Sequence, residues 1–288
     1  MNLSFSKDLS LSARLFDLLD VVFPGIKQVA SNARAMGASW ESVSTPFICF
    51  EGEQAISHVG VIELPLVLLG RQVKVGSIHG VATQPHYRGR GYFRQAIESA
   101  LHYADSRYET LILTTEHPEY FQPFGFRVVS EHLFRFKPDS KEGRDQMRLL
   151  DTGNASDIEL LHRLLETREP VSNVVGVSSE KGVFCFNEGS RPLYYIRELD
   201  IMVCLEIEGR QLRLFDIVGP NVPSLAALLE RVPYSFEEVL INFSPDKLSI
   251  EAEPIFHLFD HDGPSYFMAR GPFDAEGHAF SLPRSART

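Results

Sequence analysis

Cysteine, basic charge and long apolar runs are all scarce in this sequence, and each scarcity closes off a class of protein. Three cysteines in 288 residues, Cys49, Cys185 and Cys204, are an odd number at wide spacing, which suits neither a disulfide framework nor a cysteine metal site. A reducing, cytoplasmic compartment is the expectation, with no metal. No window approaches the roughly 18 apolar residues a membrane span needs, and the longest candidate, Val59 to Leu69, contains Glu63 and Pro65. The leading residues 1–8 have no basic region followed by an apolar core, so no secretory signal is read there. Lys and Arg number 28 against 38 Asp and Glu, a net charge of −10. Without a basic excess to displace phosphate counterions, nucleic-acid binding is not expected. Such a field suits a cationic small substrate or a basic peptide, or it serves solubility alone. The composition, 44% hydrophobic and 23% charged, is that of a soluble globular chain with room for one large domain or two ordinary ones.

Spacing predicts the elements. Leu11, Leu15, Leu18 and Leu19 mark a helix over about 9–23, with Asp8 or Ser10 as its cap. A second helix is expected over 26–36, then strands at 46–51, 55–69 and 73–83. Phe93, Ala96, Ile97, Ala100, Leu101 and Ala104 trace one buried helix face. A short strand at 110–115, a turn of helix and a strand over 126–136 complete a mixed α/β layer structure. Lys137 to Asp145 has almost nothing apolar to bury, so the chain divides into a first domain at 1–136, a linker at 137–147 and a second domain at 148–288. The second half should hold a helix at 157–166, strands at 183–187, 193–207 and 211–218, a helix at 224–231, and strands at 238–243 and 265–271. Gly70-Arg71-Gln72 recurs as Gly209-Arg210-Gln211, each time joining a long strand to one that runs toward a helix. That order is the one an internal duplication produces.

The chemistry concentrates in Val81-Ala82-Thr83-Gln84-Pro85-His86-Tyr87-Arg88-Gly89-Arg90-Gly91-Tyr92-Phe93, a strand, a basic glycine loop and a helix start. Gly89 and Gly91 let a ligand lie against the backbone, and the unpaired N–H groups of the helix start favour an anion. No Gly-Lys-Ser/Thr follows, so the loop is not a P-loop. Two glycines with Phe93 at the packing position do not make a dinucleotide fingerprint. In the second half Gly219-Pro220-Asn221-Val222-Pro223 stands where the loop would be. It has no Lys or Arg, and Pro223 lacks an N–H, so no matching anion site is expected there.

The segment Val81-x-Thr83-x-Pro85-x-x-Arg88-Gly89-Arg90-Gly91 resembles the acyl-CoA signature of the GNAT superfamily of N-acetyltransferases, with Phe93 in place of the usual final small residue. That departure resembles the multi-domain branch related to the enhanced-intracellular-survival acetyltransferases. Pro118 to Arg127, with Gly125-Phe126, is similar to a second family segment beside the thioester. The resemblance covers roughly residues 1–136. It implies a GNAT fold, complete in the first half and degenerate in the second, with acetyl-CoA as co-substrate and an amine, small molecule or peptide, as acceptor.

It also implies roles. Backbone groups of Val81, Ala82 and Thr83 would pair with the pantetheine arm, and Arg88, Gly89, Arg90, Gly91, Tyr92 and Phe93 would hold the pyrophosphate. The family's tyrosine proton donor falls at Phe121, so Tyr120 either delivers that proton or is merely packed. Glu116 takes the amine proton through water or caps the next helix, and His117 is a turn residue. In the related branch a C-terminal carboxylate serves as base. Here the tail from Ser281 to Thr288 reads as a frayed surface segment. Trp40, with Phe23 and Pro24, walls the acceptor pocket or belongs to the core, whereas Tyr194 and Tyr195 are read as sheet packing. A catalytically inactive acyl-CoA-binding module and an interaction protein are the rival readings, and a homodimer is possible.

Overall fold

The computed structural model describes residues 5, 8, 10–139, 142–258 and 264–288. Most of the leading segment 1–8 and positions 140 and 141 of the expected linker lie outside the described residues. The four leucines of the first helix are all buried in α1 (Leu11–Val22). Ahead of it the Asp8 carboxylate accepts the Ser10 N–H at 2.9 Å and its hydroxyl at 2.7 Å. Helix α2 (Ile26–Ala35) follows, and Trp40–Ser42 makes one 3-10 turn. Then β1 (Ser44–Glu51), β2 (Gln54–Leu68) and β3 (Arg71–Thr83) form an antiparallel meander. Helix α3 (Tyr92–Ala104) buries the predicted face from Ala96 to Ala104, and β4 (Leu111–Thr115) returns parallel to β3.

Beyond this point come β5 (Arg127–Val128), β6 (Glu131–Phe136), β7 (Met147–Leu149), α4 (Ala155–Glu166), β8 (Val175–Val177) and α5 (Gly182–Glu188). They are followed by β9 (Tyr194–Ile196), β10 (Ile201–Glu208), β11 (Gln211–Val218), α6 (Leu225–Leu229), β12 (Glu238–Ile241), β13 (Glu253–His257) and β14 (Tyr266–Arg270). The first mixed sheet runs β1-β2-β3-β4-β14-β5, with β8 also on β2, and the second runs β13-β6-β12-β11-β10-β9-β7. Helices α1 and α2 cover one face of the first sheet, where Leu15, Leu19 and Trp40 meet Ile62 and Leu64. Helix α3 covers the other, against Val59, Val61 and Ile78.

Four expectations need correction. The single strand read at 126–136 is two strands in two different sheets, β5 in the first and β6 in the second. Residues 183–187 are helical in α5, because the Glu180 carboxylate accepts the N–H groups of Gly182 at 2.9 Å and Val183 at 2.6 Å, which caps a helix rather than starting a strand. The strand read at 193–207 breaks into β9 and β10 at Asp200, whose φ is +50°. Finally, the two sheets do not divide where the sequence changes composition. β14, from the end of the chain, lies between β4 and β5 of the first sheet, and β6 lies between β13 and β12 of the second. The expected linker is itself tied down, with the Arg144 N–H on the Glu230 carbonyl at 2.8 Å and Met147 opening β7.

The recurring Gly-Arg-Gln tripeptides do sit in matching places. Hairpins β2–β3 and β10–β11 each lead to a helix and then a parallel strand, β4 or β12, although the tripeptide is offset by one residue between the two turns.

Candidate active site

The site begins with a glycine inside a strand. β2 and β3 pair His58 with Ala82 and Gly60 with His79, so Val59 alone faces Gly80 and Val81. Gly80 adopts φ +55°, and this extra residue is a bulge that bends and twists β3. β3 and β4 pair only at Gly76 with Leu111 and Ser77 with Ile112. Past those pairs they splay.

Under the bulge lie two buried histidines. His58 Nδ1 donates to the Gly80 carbonyl at 2.6 Å, which assigns the proton to that nitrogen, since a carbonyl only accepts. His79 Nε2 is 3.0 Å from Ser44 Oγ, and the ring stands edge-on to Trp40 at 4.5 Å. Burial pushes His58 down to about 4. Burial, with His58 as neighbour, holds His79 well below the usual imidazole range. Both are neutral at pH 7.

At the far end of β3, Gly89 and Gly91 take φ +75° and +87°, and a Cβ on either would meet nothing within 4 Å. What requires glycine there is the backbone angle, and the space beside it is open. Gly91 caps α3 without any side-chain hydrogen bond. The first intrahelical bond is Gln95 N–H to the Gly91 carbonyl at 3.0 Å, so the N–H groups of Tyr92, Phe93 and Arg94 face outward for an anion. In the second half the equivalent helix end is filled by its own chain. Ser224 Oγ accepts the Ala227 N–H at 3.2 Å, and the Leu248 carbonyl accepts that of Leu225 at 2.9 Å.

The side chains around the loop are otherwise engaged. Arg88 Nε donates to the Thr83 carbonyl at 3.2 Å, and the Arg90 guanidinium lies 5.4 Å over the Tyr87 ring. Phe93 turns into an aromatic cluster, edge-on to Phe121 and Phe124 at 5.8 Å each, so its bulk does not block the loop. Phe121 is buried there, while Tyr120 is 56% exposed and lies against His117 at 5.1 Å. Glu116 and His117 are exposed at the end of β4. The 3-10 turn Pro118–Tyr120 carries no side-chain cap, which removes helix capping as the role of Glu116.

The tail is not frayed. Leu282, Arg284, Ser285 and Ala286 are buried, because carboxylates far away in sequence meet its arginines. Glu188 grips Arg284 through two bonds of 2.8 Å, Glu206 adds a third at 2.8 Å, and the guanidinium stacks 3.5 Å over Phe215. Glu131 accepts both the Leu282 N–H at 2.8 Å and Arg287 at 2.6 Å. Ser285 reaches Asp216, itself paired with Arg168 at 2.7 Å. Thus β6, α5 and the second sheet deliver Thr288 into the splay, where Thr114 Oγ1 donates to the Thr288 main-chain oxygen at 2.7 Å and the Ser77 and Thr288 hydroxyls meet.

One cavity of about 1060 Å³ joins these parts. Of the expected residues, Val81, Ala82, Thr83, Arg88, Gly89, Gly91, Tyr92, Phe93, Glu116 and Tyr120 line it, as do Phe23, Trp40 and Thr288, whereas Arg90 and Pro24 do not. Sequence reasoning missed His79, Phe186, Arg284 and Arg287 on its walls. A glycine within a β pattern was the available signal for His79.

A mixed sheet opened by a bulge, beside a helix start with free N–H groups, is the arrangement for which comparison with known proteins gives a family. Residues 12–129 match the model of the acetyltransferase (GNAT) domain. The chain carries a GNAT acetyltransferase domain. No curated protein matches it. Among solved structures it is similar to a protein of Enterococcus faecalis V583 named as a probable N-acyltransferase, with TM-score 0.60 and 16% identity over 96% of this chain and 72% of that one. It is also similar to a GCN5-related N-acetyltransferase of Kribbella flavida, with TM-score 0.55 and 14% identity over 96% and 71%. Eis1 of Mycobacterium abscessus aligns at TM-score 0.49 and 12% identity over 80% and 64%. The first two likenesses extend the shared fold beyond the GNAT domain to the second mixed sheet. Among the described residues no helix is long and apolar enough to cross a membrane.

Proposed function

We propose that the GNAT domain takes acetyl-CoA as its donor and transfers the acetyl group to an amine by direct attack in a ternary complex. The observation that carries this reading is the single cavity that joins the uncapped α3 start to the splay of β3 and β4. Amides of residues 88–93 would hold the pyrophosphate, and the open β3 edge at Val81 and Thr83 would pair with the pantetheine arm once Arg88 releases the Thr83 carbonyl. The amine nitrogen forms a bond to the thioester carbonyl carbon, the C–S bond breaks, and the sulfur keeps the electron pair. Tyr120 donates a proton to that sulfur. Glu116, through water, or the Thr288 carboxylate takes the proton lost by the amine.

The second reading is an acyl-CoA-binding module without turnover. The buried Phe121, where the family's tyrosine would stand, favours it. Release of free thiol from acetyl-CoA in the presence of amines separates the two. With transfer shown to be rate-limiting, Tyr120→Phe should slow release by about 100-fold or more. An unchanged rate would remove Tyr120 from the mechanism, and the absence of thiol release with every amine tested would favour the module.

A further inference from the structure

The cavity passes from one face of the first sheet to the other. The glycine loop and α3 lie on one side, so an acceptor reaching a thioester held in the splay comes from the side of α1 and α2. The lining there is largely apolar, and the charged side chains that share the cavity wall with it, Arg191, Arg284 and Arg287, are cationic. Leu19, Phe23, Ile26, Trp40 and Phe186 line that side, and Phe23 remains 40% exposed, as a side chain facing an open pocket would be. Charge points the same way. Glu116, exposed at the mouth, is the one acidic side chain among the residues lining the cavity. The carboxylates Glu131, Glu188 and Glu206 stand behind Arg287 and Arg284 and do not line it.

From this we infer that the acceptor is a small primary amine carried on an apolar alkyl or aryl body, and not a polycation. The inference rests on the proposed transfer from acetyl-CoA. The reacting amine enters neutral, whereas every further ammonium of a polyamine or aminoglycoside would lose its water against largely apolar walls, where Glu116 and Thr288, both already assigned to the reacting centre, are the acidic groups on the cavity wall. The chain's net charge of −10 therefore misleads about the acceptor, because the negative charge is not where the acceptor binds.

The test is a series of linear amines, from propylamine to hexylamine, with spermidine and kanamycin as the polycations. Binding is read by calorimetry in the presence of saturating CoA, and transfer by thiol release. The alkylamines share nearly one pKa, so protonation does not confound the series. Each added methylene should raise affinity and kcat/KM about fourfold, and hexylamine should exceed propylamine by about 60-fold. Phe23→Glu, at a half-exposed position that tolerates charge, should flatten the series and bring spermidine level with hexylamine. A flat series in the unaltered protein, or spermidine or kanamycin binding more tightly than hexylamine, would overturn the inference whatever acetyl-CoA does. If acetyl-CoA shows no affinity while the methylene increments in binding persist, the transferase reading fails and the apolar pocket stands.

Discussion

Acid should destabilise this protein in a window where its carboxylates are not yet responsible. His58 is fully buried, and its imidazole is held at about 4 by burial, even though the Gly80 carbonyl favours its N–H. In the unfolded chain it titrates near 6.5. Between those values the unfolded state binds a proton that the folded state does not, so stability is complete above pH 6.5 and falls as pH drops toward 4. From pH 7 to 5 the loss is about 2 kcal/mol for His58 alone, at about 1.36 kcal/mol per pKa unit. His79, pushed down by the same burial, adds to the loss in the same direction. A domain is commonly stable by about 5–15 kcal/mol in total, so this is a large fraction. Glu41 is also buried in part, but the Ser12 and Ser39 hydroxyls outweigh that burial and hold it near 2, so its contribution is lost only below pH 4.5. Glu180, pushed up by burial, works in the opposite direction. The informative quantity is therefore a difference between proteins. Urea unfolding followed by circular dichroism at pH 7, 6 and 5 should show His58→Asn losing about 2 kcal/mol less than the unaltered chain. Equal losses in the two proteins would refute a buried neutral imidazole at position 58.

Two further outcomes follow from close contacts. A Cβ at position 60 would lie 2.2 Å from His79 Nε2, so Gly60→Ala should cost about 1–3 kcal/mol by overpacking and shift the fluorescence of the sole tryptophan, Trp40, which meets that ring edge-on. Glu188→Gln leaves Arg284 half-paired in a buried site. It should cost about 3 kcal/mol or more in urea and, by loosening the tail that carries Thr288, lower the thiol-release rate; deletion of Thr288 alone, which leaves the buried Arg287–Glu131 pair in place, should lower the rate with less loss of stability. Retained rates in both would detach the tail from the chemistry.

Much of the site was written locally. The α3 face, the hairpin from Gln54 to Thr83 and the two glycines at positive φ are consequences of neighbouring residues, and spacing exposes them. What escaped depends on partners far away in the chain. β6 and β14 both read as strands, but alternation along a strand does not say which sheet it joins, and each joined the sheet of the opposite half. Residues 183–186 are apolar without a break, so no period separated strand from helix, and the Glu180 carboxylate decided it. The tail looked like exposed arginines and serines because Glu131, Glu188 and Asp216, which bury them, lie 69 to 156 positions away. Phe93, a departure from the family pattern, found its reason in the cluster with Phe121 and Phe124.

The most direct measurement is calorimetric titration of acetyl-CoA into the unaltered protein and into Gly91→Val. Saturable one-site binding is expected in the first. In the second, a β-branched residue forced to φ +87° beside the open N–H groups should weaken binding by at least about tenfold, while Arg90→Ala, off the cavity wall, should weaken it less. No saturable binding by the unaltered protein, or equal affinity in Gly91→Val, would contradict the assignment of the glycine loop as the donor site.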